Sequence, residues 1–220
     1  MRKIFAVLVF TVMINSSGLV EAGVIDQAQE NYDNCWLVIC DQWDFAQTFT
    51  AGISGQLESI DLLLADIFDW NATPPSKANY PITISIVDVI NFVPNGPVLG
   101  QAYVDNFESG FTNVNFLLES IYLTAGNQYG IMLSSEDLLA YDTPSTQWVS
   151  TIEDVYAGGS LWIRKPDTGW IQTVVPPNEN LPVETFYDKD ATFRTNMVPE
   201  PITAVLMGLG IVLLHRKSKL

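Results

Sequence analysis

The chain carries a single histidine, His215, close to its C-terminal end. Imidazole general-base catalysis, Ser-His or Cys-His nucleophile pairs and histidine metal sites all need a ring nitrogen in the folded part. The sequence therefore argues against those classes for everything before the tail. It also lacks a G-x-S-x-G elbow, a phosphate-cradling glycine loop and zinc spacing. The GISG around Ser54 reads as a strand-to-turn glycine pair. Glycoside hydrolysis needs only two carboxylates, but among 25 Asp and Glu a pair near the required spacing arises by chance. We therefore expect a non-enzymatic protein, with a carboxylate-only glycoside hydrolase as the remote alternative.

Two other chemistries remain. Asp188 and Asp190, in YDKDATF, sit two residues apart before a β-run and could offer oxygens to calcium beside a loop carbonyl. The spacing is not that of an EF-hand loop, and Asp before a strand is common turn chemistry. No cofactor is required, and calcium is the candidate ion. The second chemistry is aromatic. Of six tryptophans, Trp162 stands out. In SLWIRKPDTGWIQ, Leu161 and Ile163 share one face, which puts Trp162 with Arg164 on the other, expected to be the solvent side. If KPDTG turns the chain, Trp170 returns nearby, and Tyr156 before Gly158-Gly159 could join them. Two aromatic rings with an Arg donor suit a polysaccharide. The plainer reading, which we favour, is a cross-strand pair that holds the hairpin.

The elements around these residues repeat with period two. Ile82, Ile84 and Ile86 alternate with Thr83 and Ser85. Val114, Phe116 and Leu118 alternate, as do Tyr129, Ile131 and Leu133, and Ile60, Leu62 and Leu64. Phe193 points opposite to Thr192 and Arg194. NATPPSKANYP, PNGP, AGNQ, KPDTG and VVPPNENLP supply reversals between the runs. Many short strands with such turns predict an all-β, antiparallel β-sandwich, jelly-roll-like, over residues 23–196. Cys35 and Cys40, in CWLVIC, are the two cysteines. Five positions along a straight strand would put their thiols on opposite faces, so a disulfide between them, which we expect after export, needs a bend.

The termini speak of location. Arg2 and Lys3 precede an apolar run from Ile4 to Ile14, and Val20-Glu21-Ala22 offers a cleavage site. Residues 1–22 therefore read as a signal peptide. Between Gly23 and Val198 lie 23 acidic residues against five basic ones (Lys77, Arg164, Lys165, Lys189, Arg194), a net charge of −18. Such a surface repels nucleic acid and anionic head groups, so no nucleic-acid partner is expected. Thirteen uncharged residues, Ile202 to Leu214, follow near the end. At about 1.5 Å per residue they make a helix of roughly 20 Å, short of a hydrocarbon core of about 30 Å. The basic tail 215–220 would stay cytoplasmic. Before the helix, Pro199 and Pro201 hold Val198 and Glu200 extended, an open junction for a processing enzyme.

Val198-Pro199-Glu200-Pro201, the apolar segment 202–214 and the basic tail resemble a PEP-CTERM sorting signal, spanning residues 197–220. The resemblance implies processing by an exosortase. It also implies export across the inner membrane, transient anchoring there, and delivery to the cell surface or an exopolysaccharide matrix. AQTFTAGISGQLESIDLLLA, IYLTAGNQYGIMLSS, YAGGSLW and YDKDATFRT resemble the choice-of-anchor β-sandwich domains. That likeness implies a sandwich and supplies no catalytic residue. The expected role is structural or adhesive in an exopolysaccharide layer, the alternative being a carbohydrate-binding module.

Overall fold

The alternating runs become strands. A computed structural model of the chain describes residues 23–33, 35–39, 43–66, 81–105, 107, 109–135, 146–151, 155–165, 167–172 and 189–200. Among these residues the regular structure is β1 (Val24–Gln29), β2 (Cys35–Val38), β3 (Asp44–Thr50), β4 (Gly55–Asp66), β5 (Ile82–Asp88), β6 (Val98–Val104), β7 (Gly110–Asn115), β8 (Tyr122–Leu123), β9 (Gln128–Ser134), β10 (Thr146–Ser150), β11 (Leu161–Lys165), β12 (Gly169–Gln172) and β13 (Phe193–Pro199), with one 3₁₀ turn at Leu117–Glu119. No described helix is long and apolar enough to cross a membrane. The expected signal peptide, the 202–214 helix, the basic tail and Cys40 lie outside the described residues, as does the side chain of Cys35.

The strands form two antiparallel sheets. The first runs β1-β13-β4-β10-β2, with β7 and β8 on the far side of β4. The second runs β12-β11-β3-β9-β5-β6. The long β4 organises the first sheet. Its residues Gly55 to Leu62 pair with β13, while Leu64 to Asp66 pair with β10. One core lies between the sheets, as the period-two pattern requires. Ile60, Leu62 and Leu64 of one sheet and Ile82, Ile84, Ile86, Ile131 and Leu133 of the other are all fully buried. Phe49 of β3 meets Phe193 of β13 across the layers, with ring centroids 5.9 Å apart. The chain is thus an all-β, two-sheet, sandwich-like protein.

Two expectations change. The alternation of Val114, Phe116 and Leu118 breaks after Phe116. The 3₁₀ turn intervenes, Ser120 takes a left-handed conformation at its end, and Leu118 is left 95 % exposed. A 3₁₀ turn advances about three residues per turn, so the face that alternated along β7 is lost within one step. The second sheet is also closed on both sides around its centre. Ala46, Thr48, Ser85 and Val87, on the face away from the shared core, are buried too.

Candidate functional site

Polar residues inside a sandwich must find partners, and one such group joins the two sheets. Gln47 alternates with Phe45 and Phe49 on the core face of β3. Its Nε2 donates to Asp190 Oδ1 at 3.1 Å, and its Oε1 accepts from the Ala191 amide at 2.9 Å. The other carboxylate oxygen, Asp190 Oδ2, accepts from the amides of Val155 (2.8 Å) and Tyr156 (2.6 Å). Asp190 is 0 % exposed. So it lies within the structure rather than at an open strand entrance, and both its oxygens face N–H donors, where a cation would meet like polarity. Asp188, its proposed companion in a calcium site, lies outside the described residues.

Tyr156 belongs to the same knot. Its ring meets Phe193 edge-on, with centroids 5.2 Å apart, and its hydroxyl donates to Gln27 Oε1 at 2.9 Å. Burial pushes the phenol up to about 12, with the nearby Asp26 and Asp190 charges adding to the shift and the Thr50 backbone opposing it. Tyr156 ties β1 to β13, and these contacts commit it to the sheet junction rather than to an aromatic surface with the tryptophans.

The hairpin forms where KPDTG predicts it. β11 pairs β12 with Arg164 opposite Trp170 and Trp162 opposite Gln172. Gly169, at φ +68, takes the left-handed position, which glycine adopts without steric cost. Arg164 lies over the Trp170 ring, 5.2 Å from its centroid, and its Nε donates to Asp44 Oδ2 at 2.6 Å. On the neighbouring strand end Lys165 lies 5.3 Å from the centroid of Trp43. Trp162 does share a face with the exposed Arg164, but it is only 8 % exposed. Its register partner on β3 is Ala46, on the closed outer face, so position on the strand does not translate into contact with water. Its Nε1 is the one buried side-chain polar atom among the described residues with no hydrogen-bond partner. Trp148, by contrast, is fully buried and donates to Thr192 O at 2.8 Å.

Comparison with protein-family models, with curated proteins and with solved structures gave no match to this chain.

Residues 198 and 199 are built into the first sheet. Val198 pairs with Gln56 and Pro199 with Gly55. The Glu200 amide donates to Ser54 O at 3.2 Å. A Cβ on Gly55 would run into the Val198 carbonyl oxygen, so glycine is what permits this approach. The sequence predicts an open, extended junction. It is extended, but Val198 and Pro199 are paired with β4, Glu200 is held by the residue before that strand, and Pro201 is outside the described residues. Sequence reading missed Gln47 and Asp44. A glutamine on an otherwise apolar alternating face was the available signal for the first.

Proposed function

We propose that this chain is an exported, non-enzymatic surface or extracellular-matrix protein. An exosortase sorts it through Val198-Pro199-Glu200-Pro201, and its role in an exopolysaccharide layer is structural or adhesive. The observation that carries the reading is the register of β13. The last strand of the sandwich runs without a spacer into the motif, so folded domain and tail meet at one point. A jelly-roll arrangement is part of this proposal; what supports it is that β1 and β13, the first and last strands, lie side by side in one sheet, and that the chain crosses repeatedly between the sheets, as from β3 to β4 and from β8 to β9. Replacing Pro199, Glu200 and Pro201 together by alanine tests the sorting step. In cells that carry an exosortase, the variant is expected to stay in the membrane fraction. Undiminished release would refute the reading.

A second reading, a carbohydrate-binding module, is favoured by one observation: Trp170 is half-buried at the edge of its sheet with Arg164 stacked against it. Trp170 and Arg164 would carry that contact. The Trp162 ring is too buried to share it.

A further inference from the structure

We infer that this protein binds a neutral polysaccharide in a groove between the Asn91–Phe92 turn and the Gly126–Gln128 turn, apart from the tryptophan hairpin. The inference does not depend on the route of delivery proposed above. The groove is open to solvent along much of its length and has a volume of ≈ 740 Å³, within the range of about 300–1,000 Å³ typical of ligand sites.

The first argument is the turn. Ile90 and Val93 exchange backbone hydrogen bonds of 2.9 and 3.1 Å around a two-residue loop. Both loop residues have positive φ, Asn91 at 53° and Phe92 at 69°, as the tight hairpin turn that matches strand twist requires. Asparagine tolerates this conformation, and the second place ordinarily takes glycine. A bulky aromatic there is an outlier. Phe92 gains little from the core in return, being 77 % exposed. A strained residue that holds an aromatic ring in solvent is the kind of backbone cost that marks a functional position.

The second argument is the lining. Asp88, Asn91, Asn127 and Gln128 face the groove beside Ile90 and Phe92. Among the described residues, no hydrogen bond engages those four polar side chains. Amide groups both donate and accept, which matches the hydroxyls of a sugar. The exposed Phe92 ring offers a flat apolar face for the C–H side of a pyranose. An extended peptide would instead seek an unpaired sheet edge, whereas this groove is bounded by two closed turns. No cation lines it, Asp88 is its one carboxylate, and the chain carries a net charge of −15, so an anionic polymer is repelled. One carboxylate is also short of the pair that glycoside hydrolysis uses. The groove therefore holds a glycan without cleaving it.

The test is affinity electrophoresis of the full chain in non-ionic detergent. Gels are cast with mixed-linkage β-glucan, xylan, galactomannan or dextran, and with alginate as the anionic control. The expected result is retardation by at least one neutral polymer and none by alginate. Affinity should fall at least tenfold in Phe92→Gly and in the double variant Asn127→Ala/Gln128→Ala. Glycine suits the turn, so Phe92→Gly separates loss of the ring from loss of the fold. Retardation by no neutral polymer overturns the inference. So does retardation that survives Phe92→Gly, or that disappears in Trp170→Ala alone.

Discussion

Removing the Asp190 carboxylate would strand two donors, the backbone amides of Val155 and Tyr156, and would leave the Gln47 side-chain amide with Thr48 O as its acceptor. Each buried donor left without a partner costs about 1–3 kcal/mol, and local relaxation returns part of that. With two amides stranded, Asp190→Ala is therefore expected to destabilise the protein by roughly 2–4 kcal/mol. Asp190→Asn keeps the shape but turns an N–H group toward N–H donors, so it should cost about half as much. Equilibrium urea unfolding reads both as shifts in midpoint at constant slope. Gln47→Ala combined with Asp190→Ala should be less damaging than the sum of the two, because they share one bond. A loss within about 0.5 kcal/mol for Asp190→Ala, the scale of ordinary surface changes, would mean that the carboxylate does not hold these amides. So would a calcium-dependent rise in wild-type stability that Asp190→Ala abolishes, since the oxygens would then be serving a cation.

Other expectations follow from named contacts. Tyr156, held at about 12 by burial, ionises in the unfolded chain near pH 10. The folded state then keeps a proton that the unfolded state loses, so the stability it contributes is full below pH 10 and falls as the pH rises through 12. Phenolate absorbance titration of wild type minus Tyr156→Phe should show a step near 12, and a step near 10 would contradict this. Gly55→Ala should push Val198 off β4 and speed hydrogen exchange at the Glu200 amide; unchanged protection would show that the junction tolerates a Cβ. Gly159→Ala places a methyl against the Thr48 carbonyl and should cost roughly 1–3 kcal/mol, as overpacking does, read by thermal unfolding. Phe92→Gly relieves left-handed strain of about 1–2 kcal/mol. It gives back a comparable amount through chain entropy, so its melting temperature should stay within about 3 °C of wild type.

The alternation of Ile82, Ile84 and Ile86, of Ile60, Leu62 and Leu64, and of Tyr129, Ile131 and Leu133 made the two-sheet architecture legible, because side-chain direction in a strand depends only on parity. Parity could not say which faces meet water. Trp162 and Arg164 do share a face, yet the face is closed at Trp162 and open at Arg164, and that difference depends on what lies across the surface, not on the strand. Tyr156 was misplaced for a similar reason: proximity in sequence to the tryptophan hairpin says nothing of its partners Gln27 and Phe193, which are far away along the chain. Asp190 was noticed as a carboxylate, but its burial follows from Gln47, which lies 143 positions earlier. Phe92 is not legible as a turn residue because PNGP, two residues later, carries the stronger turn signal. The tight turn falls on Asn91 and Phe92, where local propensity gives only the asparagine.

We propose export followed by processing where β13 ends, and the intact mass of the protein recovered from the cell exterior is the decisive measurement. A chain that begins at Gly23 and ends within or beside Val198–Pro201 is expected. Recovery of a chain that still carries residues 202–220, or of uncleaved protein from the cytoplasm alone, would contradict it.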